Sequence, residues 1–201
     1  MEKNIHKIVI NNLNNIDEDK ILRNINVKVG QSFWNFNSKK LANDLNKIRG
    51  IKSFSFKMEK DGVLNIFVIE DIPFMVWKFS NKTKYLNDKG EILDFSKKNF
   101  KDLIVLEGQV NQEKLMMFNK IMSLHNELKQ NIQRIYYTEN IGWRLFLKDK
   151  SCLYLPDEKI DKVLNVYKKI KKSKISQNFK YFDMRILERV YLNKDNKCLI
   201  S

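Results

Sequence analysis

Glu70 and Asp71 interrupt a strongly apolar run, FVIEDIPFMVWKF, and two adjacent carboxylates are groups that can serve acid–base catalysis. Such a site also needs a companion base, nucleophile or metal in a defined geometry, and the neighbouring sequence supplies none. The chain has no G-x-S-x-G, P-loop, H-E-x-x-H or Cys-His arrangement. No catalytic and no cofactor-binding residue is therefore expected, and turn formation before Pro73 explains these carboxylates better.

The cysteines and histidines do not have the spacing of a metal site. Cys152 and Cys198 lack a CxxC pattern, and both lie far in sequence from His6 and His125. His125 falls on the apolar stripe of a predicted helix, where a core imidazole with a local hydrogen bond is the simplest interpretation. The two cysteines could form one disulfide bond, or Cys152 could be a small buried apolar residue. The sequence leaves that choice open, and no metal is expected.

The net charge of +14, with a pI of about 9.6, would attract polyanions such as nucleic acid or an anionic membrane. The lysines are scattered, however, and the run KKIKKSK at 168–174 is interpreted as the solvated end of a helix. No aromatic residues interleave with these lysines, as base stacking would require. A nucleic-acid partner is not expected, and a basic nucleic-acid-binding protein is the alternative class.

Length and composition predict a globular chain. Its 201 residues are 43% hydrophobic, which is too apolar for a disordered polymer and sufficient for one or two compact domains. The longest apolar runs are interrupted well short of the ~20 residues that span a bilayer. The beginning of the chain, MEKNIHKIVINN, lacks the apolar core of a secretory signal. The chain as given is expected to be soluble.

The first seventy residues predict the order β-α-α-β-β. Alternation and β-branched residues favour strands, apolar residues at helical spacing favour helices, and Asp61-Gly62 favours a hairpin turn. The predicted elements are a strand at 5–10, a helix at 17–25, a helix from Asn37 or Ser38 through Arg49, and strands at 51–58 and 63–69.

The remainder predicts a mostly β region with two helices. The helices are expected at 111–129 and 157–171, from their apolar stripes. The predicted strands are 74–79, 85–86, 91–93, 103–106, 132–138, 143–148, 151–155, 179–184 and 188–192. The fold class is therefore α+β, with a small mixed domain followed by a mostly antiparallel β-domain.

The segment Glu70, Asp71, Ile72 and Pro73 is predicted to be a rigid corner and domain hinge, because Pro73 restricts the backbone between two apolar strands. The predicted domains are residues 1–72 and 73–192, followed by a tail at 193–201.

Several patterns, taken in order, resemble the FtsQ/DivIB family of bacterial cell-division proteins, whose soluble part is a POTRA domain followed by a β-domain. The resemblance covers about residues 5–192, and one glycine, Gly90, comes one residue earlier than in the family. The matching residues are Val29-Gly30 with Phe33-Trp34, then Leu41, Leu45 and Ile48, then Val68, Glu70, Pro73 and Trp77, then Tyr85, Leu86 and Asp88, then Trp143, Leu145 and Leu147, then Leu155-Pro156, and finally Asp183, Arg185, Arg189 and Val190.

The resemblance implies a non-enzymatic scaffold of the division machinery. In the family, partners of the FtsB/FtsL type add a strand to the exposed C-terminal edge of the β-domain, and the expected edge strand here is Glu188 to Leu192. Arg185 and Arg189 could bind an acidic partner segment, or could instead pair with Asp183 or Glu188. The expected partner-binding residues are Arg185, Ile186, Leu187, Glu188, Arg189, Val190, Tyr191 and Leu192.

The resemblance also implies a location. Family members carry a short cytoplasmic tail and one transmembrane helix before the POTRA domain, and neither is in this sequence, so Met1 is expected to begin a soluble fragment. That fragment would lie on the periplasmic side of the inner membrane, where the POTRA domain docks other proteins and the cationic excess favours anionic lipid. The alternative is a POTRA-containing component of outer-membrane assembly or secretion.

Overall fold

The computed structural model describes residues 4–96, 100–195 and 198. The chain divides into two compact units. Unit 1 comprises Met1–Ile72 and Ile92–Phe100, and unit 2 comprises Pro73–Glu91 and Lys101–Ser201. Within the described part, no helix is both long and apolar enough to cross a membrane.

Unit 1 has the predicted β-α-α-β-β order. Its sheet has the strand order β1-β3-β2, in which β1 runs parallel to β3 and β2 runs antiparallel to β3. A 3-10 turn at Phe33–Asn35 lies between the helices, and the second segment of the unit holds the short strand β6, which is not part of this three-stranded sheet. The elements are β1 Lys7–Asn11, α1 Glu18–Asn24, α2 Ser38–Asn46, β2 Ile51–Met58, β3 Val63–Glu70 and β6 Ile92–Leu93.

Unit 1 is stabilised by side-chain caps at the starts of its helices and by a strand whose residues alternate between buried and exposed faces. The Asp17 side chain accepts the Asp19 N–H at the start of α1, and the Asn37 side chain accepts the Lys40 N–H at the start of α2. The alternate residues of β3 face the helices and are fully buried, whereas its other face is partly exposed. The fully buried apolar residues of the unit are Ile5, Ile21, Leu41, Leu45, Leu64, Ile66 and Val68.

Unit 2 is a mixed sheet in which antiparallel pairs predominate. Its strands follow the order β12-β11-β10-β9-β8-β7-β4-β5, with parallel pairing at β4/β7, β7/β8 and β10/β11. The strands are β4 Met75–Phe79, β5 Lys82–Leu86, β7 Ile104–Glu107, β8 Ile132–Thr138, β9 Gly142–Leu147, β10 Cys152–Leu155, β11 Tyr181–Asp183 and β12 Tyr191–Asn193. The predicted α+β class is confirmed.

The helices of unit 2 cover one face of this sheet. They are α3 Gln112–Ser123, α4 Asn126–Asn131 and α5 Ile160–Lys172, and a 3-10 turn follows at Lys174–Asn178. Phe118 of α3 stacks on Trp143 of β9 with 4.0 Å between ring centroids, and both side chains are almost completely buried. Tyr167 of α5 packs edge-on against Phe182 of β11, which is fully buried. These aromatic contacts fix α3 and α5 on the sheet.

The single helix predicted at 111–129 is wrong, because α3 ends and α4 begins around Leu124 and His125. His125 has φ −123°, outside the helical region, and its Nε2 lies 3.3 Å from Asp161 Oδ1 on α5. The His125 side chain is 9% exposed, as its place on the apolar stripe predicted. Local propensity favours one continuous helix, but the contact of His125 with Asp161 of α5 accompanies a break between α3 and α4.

Candidate functional site

The last strand of the sheet, β12, pairs with β11 and with no other strand in the described part of the chain. Its register places Tyr191 opposite Asp183, Leu192 opposite Phe182 and Asn193 opposite Tyr181. The predicted strand at Glu188 to Leu192 is therefore displaced, because β12 begins at Tyr191. An edge strand has one row of backbone groups without a partner strand, so β12 is the candidate site for binding another polypeptide.

The backbone directions along β12 identify which groups face outward. The Asn193 carbonyl accepts a hydrogen bond from the Lys180 N–H at 3.0 Å, so it faces the β11 side. Because successive residues of an antiparallel strand direct their backbone groups to opposite sides, the Leu192 N–H and C=O face away from β11. Leu192 is therefore the residue that a further strand would pair with first.

The residues before β12 form a turn rather than a strand. Glu188 has φ +69°, in the left-handed region, and the Arg189 N–H donates to the Ile186 carbonyl at 3.2 Å. The left-handed residue reverses the chain, which explains why pairing begins only at Tyr191. Ile186 and Leu187 are left 54% and 42% exposed.

A groove of about 390 Å³ runs between this turn and α5. Its apolar residues include Val166 on α5, which is exposed, and Met184, which is buried. The full lining is Lys159, Lys162, Val163, Val166, Met184, Ile186, Leu187, Glu188, Arg189 and Val190. An apolar floor with a mainly cationic rim suits an apolar side chain flanked by acidic residues.

Arg185 is engaged within the chain. Its Nη2 and Nε donate to the two carboxylate oxygens of Asp183 at 2.6 and 2.9 Å, and its guanidinium lies 5.2 Å from the Tyr154 ring centroid. Burial raises the pKa of Asp183, but the hydrogen bonds from Arg185 outweigh burial and hold that pKa below its ordinary value. Arg185 thus forms the predicted pair with Asp183, and its role in binding a partner stays a prediction.

Arg189 differs from Arg185. Its side chain is exposed, and it forms no ion pair with any residue in the described part of the chain. Glu188, the other predicted structural partner, likewise forms no ion pair with a described residue. Arg189 is therefore the arginine that can meet an acidic segment from outside.

A disulfide bond joins Cys152 of β10 to Cys198, 46 residues later. Cys198 follows β12 closely, and its Sγ lies 3.6 Å from the Lys180 carbonyl oxygen beside β11. The bond therefore fastens the chain just after the edge strand to the interior of the sheet. This pairing answers the choice that the cysteine spacing left open.

Glu70 of the predicted hinge has a structural role inside unit 1. Its carboxylate accepts the backbone N–H groups of Asn14, Asn15 and Ile16, each at 2.9 Å, and the Asn15 side-chain amide at 2.8 Å. Partial burial raises its pKa, but these hydrogen bonds outweigh burial, so the pKa lies below its ordinary value. The carboxylate clamps the loop between β1 and α1.

Asp71 is also anchored, because its N–H donates to the Gly50 carbonyl at 2.8 Å. Ile72 is 72% exposed, and Pro73 begins unit 2. Bending between the units therefore remains a proposal, and Ile72 and Pro73 are the positions to test.

A closed polar cluster lies elsewhere in unit 2. Lys114 Nζ contacts Asp157 Oδ2 at 2.7 Å and the Tyr137 hydroxyl at 2.8 Å, and that hydroxyl donates to Asp157 Oδ1 at 3.0 Å. The hydrogen bond to Asp157 raises the pKa of Lys114, which keeps the amine protonated and unsuited to act as a base. Among the described residues, no group of three or more His, Cys, Asp or Glu is placed to hold a metal ion.

Comparisons with known proteins cover both units. The FtsQ/DivIB C-terminal domain of cell division proteins matches residues 75–185, and the POTRA domain of FtsQ type matches residues 3–70. The chain is similar to the cell division protein FtsQ of Rickettsia bellii (strain RML369-C), with 22% identity over 193 residues that cover 94% of this chain and 72% of the relative. The FtsQ of Rickettsia felis (strain ATCC VR-1525 / URRWXCal2) is 22% identical over 196 residues, with the same coverage.

A solved structure also aligns with the chain. It is the major extracytoplasmic domain of the cell division protein DivIB from Geobacillus stearothermophilus. The alignment has a TM-score of 0.37 and 14% identity, over 49% of this chain and 89% of that chain.

Proposed function

The chain belongs to the FtsQ/DivIB family of cell division proteins, which is not an enzyme family, and from this premise we propose that it binds a partner division protein by strand addition at β12. The observation that carries the proposal is the position of β12 at the sheet edge with the Leu192 backbone facing outward. An incoming strand would satisfy the Leu192 N–H and C=O with its own backbone.

The groove beside the turn would supply specificity. Backbone pairing is the same for every sequence, so partner choice must come from side chains. Ile186 and Leu187 offer exposed apolar surface, and Arg189 offers a charge at the rim that has no ion-pair partner among the described residues. A partner segment with one apolar anchor and adjacent acidic residues fits this arrangement, and burial of the anchor would provide most of the affinity.

We assign the partners to the FtsB/FtsL type on the strength of family membership. The same membership suggests that the POTRA unit docks further division proteins. Family members are membrane-anchored with an extracytoplasmic domain, and we place this chain on the periplasmic side of the inner membrane. The disulfide between Cys152 and Cys198 supports that placement, because such bonds persist in oxidising compartments.

Amide hydrogen exchange tests the strand addition directly. The 201-residue chain would be compared alone and with the soluble segments of FtsB-type and FtsL-type proteins encoded by the same genome. We expect the Leu192 amide to become strongly protected on binding, while that of Tyr191, already directed toward β11, changes less. Binding without added protection anywhere along β12 would contradict strand addition.

A matched pair of variants tests the groove. Leu187→Asp places a charge in the apolar groove, and Ile141→Asp places the same charge at a similarly exposed position in the β8–β9 loop. We expect Leu187→Asp to weaken partner binding in titration calorimetry by about 2 kcal/mol or more, from the lost anchor contact and a desolvated charge. Equal affinities for the two variants would exclude the groove from the interface.

A further inference from the structure

Trp34 is 86% exposed, and Val29 in the same loop of unit 1 is 61% exposed. The loop that carries them is ordered by hydrogen bonds: the Gln31 side chain donates to the Asn35 carbonyl at 2.8 Å, and the Asn35 N–H donates to the Ser32 carbonyl at 3.0 Å. Trp34 is thus presented to the outside on a fixed turn without serving the core. A large aromatic side chain left exposed in this way indicates a contact with another surface.

This loop lies beside the beginning of the chain. The Ile5 N–H donates to the Gln31 carbonyl at 2.9 Å, and the Gly30 N–H donates to the Ile5 carbonyl at 2.7 Å. The Asp61-Gly62 hairpin lies at the same end, since the His6 N–H donates to the Gly62 carbonyl at 3.1 Å. Glu70, at the far end of β3, marks the opposite end of the unit. Trp34 is therefore at the end where the polypeptide enters unit 1.

Four lysines belong to the segments around this end. They are exposed, and none forms an ion pair within the part of the chain that the structure describes; they are Lys28, Lys39, Lys40 and Lys60. The first turn of α2 holds Lys39 and Lys40 and no acidic residue. Cations at the positive end of a helix dipole disfavour the helix, so helix stability does not account for them. An anion outside the protein would relieve that repulsion.

The carboxylates that the structure describes at this end, Glu59 and Asp61, form no ion pair with those lysines. Glu59 pairs with Lys57 at 2.8 Å, and Asp61 accepts the Val63 N–H in the hairpin turn at 3.3 Å. The end of the unit therefore combines an aromatic side chain, an aliphatic side chain and an excess of cations.

We propose that this end of unit 1 rests on an anionic phospholipid surface, with Trp34 and Val29 in the interfacial layer and the lysines against lipid phosphates. Tryptophan favours the membrane interface because its ring is apolar and its N–H is polar. Lysines near an anionic leaflet add attraction that falls with ionic strength. The proposal rests on the extracytoplasmic, membrane-adjacent placement given above.

Tryptophan fluorescence tests this contact with the chain as it is. Trp77 and Trp143 are 8% and 0% exposed, so a change in emission on adding lipid reports chiefly on Trp34. Vesicles of equal parts phosphatidylglycerol and phosphatidylethanolamine should shift the emission to shorter wavelength at low salt and co-sediment the protein. Vesicles of phosphatidylcholine alone should do neither. No shift with the anionic vesicles at any salt concentration overturns the proposal.

Variants locate the contact on the molecule. Trp34→Ala should lower vesicle affinity on the order of tenfold, whereas Leu124→Ala, which removes a similarly exposed apolar side chain from unit 2, should leave it unchanged. Lys39→Glu with Lys40→Glu should lower affinity more than tenfold. Lys168→Glu with Lys169→Glu, on α5, makes the same charge change elsewhere and should have a clearly smaller effect.

Equal losses of vesicle affinity for the two double lysine variants would mean that lipid binding depends on net charge alone, and would overturn the assigned site. An unchanged Trp34→Ala affinity would overturn it as well, because the aromatic contact would then contribute nothing. The exchange experiment on β12 uses no lipid, so strand addition and membrane contact can fail independently.

Discussion

The corner at Glu70 and the edge at Leu192 were both predicted as functional regions, and they satisfy their polar groups in opposite ways. The Glu70 carboxylate is surrounded by four donor groups of its own unit. The Leu192 backbone groups have no strand beside them in the described part of the chain. A group satisfied internally stabilises the fold, whereas an unsatisfied group at an edge is available to a partner. Glu70 is therefore a structural group, and the Leu192 edge is the proposed binding site.

The largest predicted effect is that of losing the disulfide bond between Cys152 and Cys198, which follows the edge strand β12. Cys198→Ser removes a bond that closes a loop of 46 residues, and the loss should be about 4 kcal/mol of unfolding free energy in denaturant titrations. Amide exchange along β12 should rise more than exchange along β8. Reduction of the unmodified chain is the matched control and should reproduce both results. A stability that is unaffected by either change would mean that the edge is held by its hydrogen bonds alone.

Glu70→Gln should cost about 2 kcal/mol, because a neutral amide cannot accept the same set of hydrogen bonds as the carboxylate. The pH dependence follows from the lowered folded-state pKa: the contribution is present above the unfolded value of 4.5 and is lost as pH falls through the folded pKa. The loss of stability between pH 4.5 and more acidic solution should therefore be smaller in Glu70→Gln. Parallel pH profiles for the two proteins would show that the clamp is energetically neutral.

The two arginines provide the smallest and most discriminating test. Arg185→Ala leaves Asp183 without its bidentate partner and should cost about 1 to 2 kcal/mol of stability. Arg189→Ala should change stability by less than about 0.5 kcal/mol but slow partner association severalfold at low salt. Stopped-flow association and thermal unfolding measure the two quantities. If Arg185→Ala slowed association and Arg189→Ala lowered stability instead, Arg185 would be the residue that contacts the partner.

The sequence predicted unit 1 well because its signals are local. Asn37 marks the start of α2 by capping its first turn, and the Asp61-Gly62 turn separates β2 from β3. The alternation of apolar residues along β3 indicates that one face of this strand is buried. The family motifs, spread over nearly the whole chain, led to the family that the domain comparisons confirm.

The details of the edge could not be predicted because they depend on distant contacts. The pairing of Cys198 with Cys152 requires β10 and β11 to be neighbours, and no local sequence pattern predicts that these two strands pair. The turn at Glu188 has a left-handed residue that is neither Gly nor Asn, so the usual composition signal is missing. The break at His125 likewise depends on Asp161 in another helix.

The covalent link behind β12 has a mechanical consequence. A strand that is joined to its sheet along only three residues would peel away under tension, because its hydrogen bonds could break one after another. Through Cys198 such a load would pass to β10, two strands further in, so that a pull on a partner docked as proposed would be distributed across the sheet. The proposed attachment would therefore resist a pull along the edge strand.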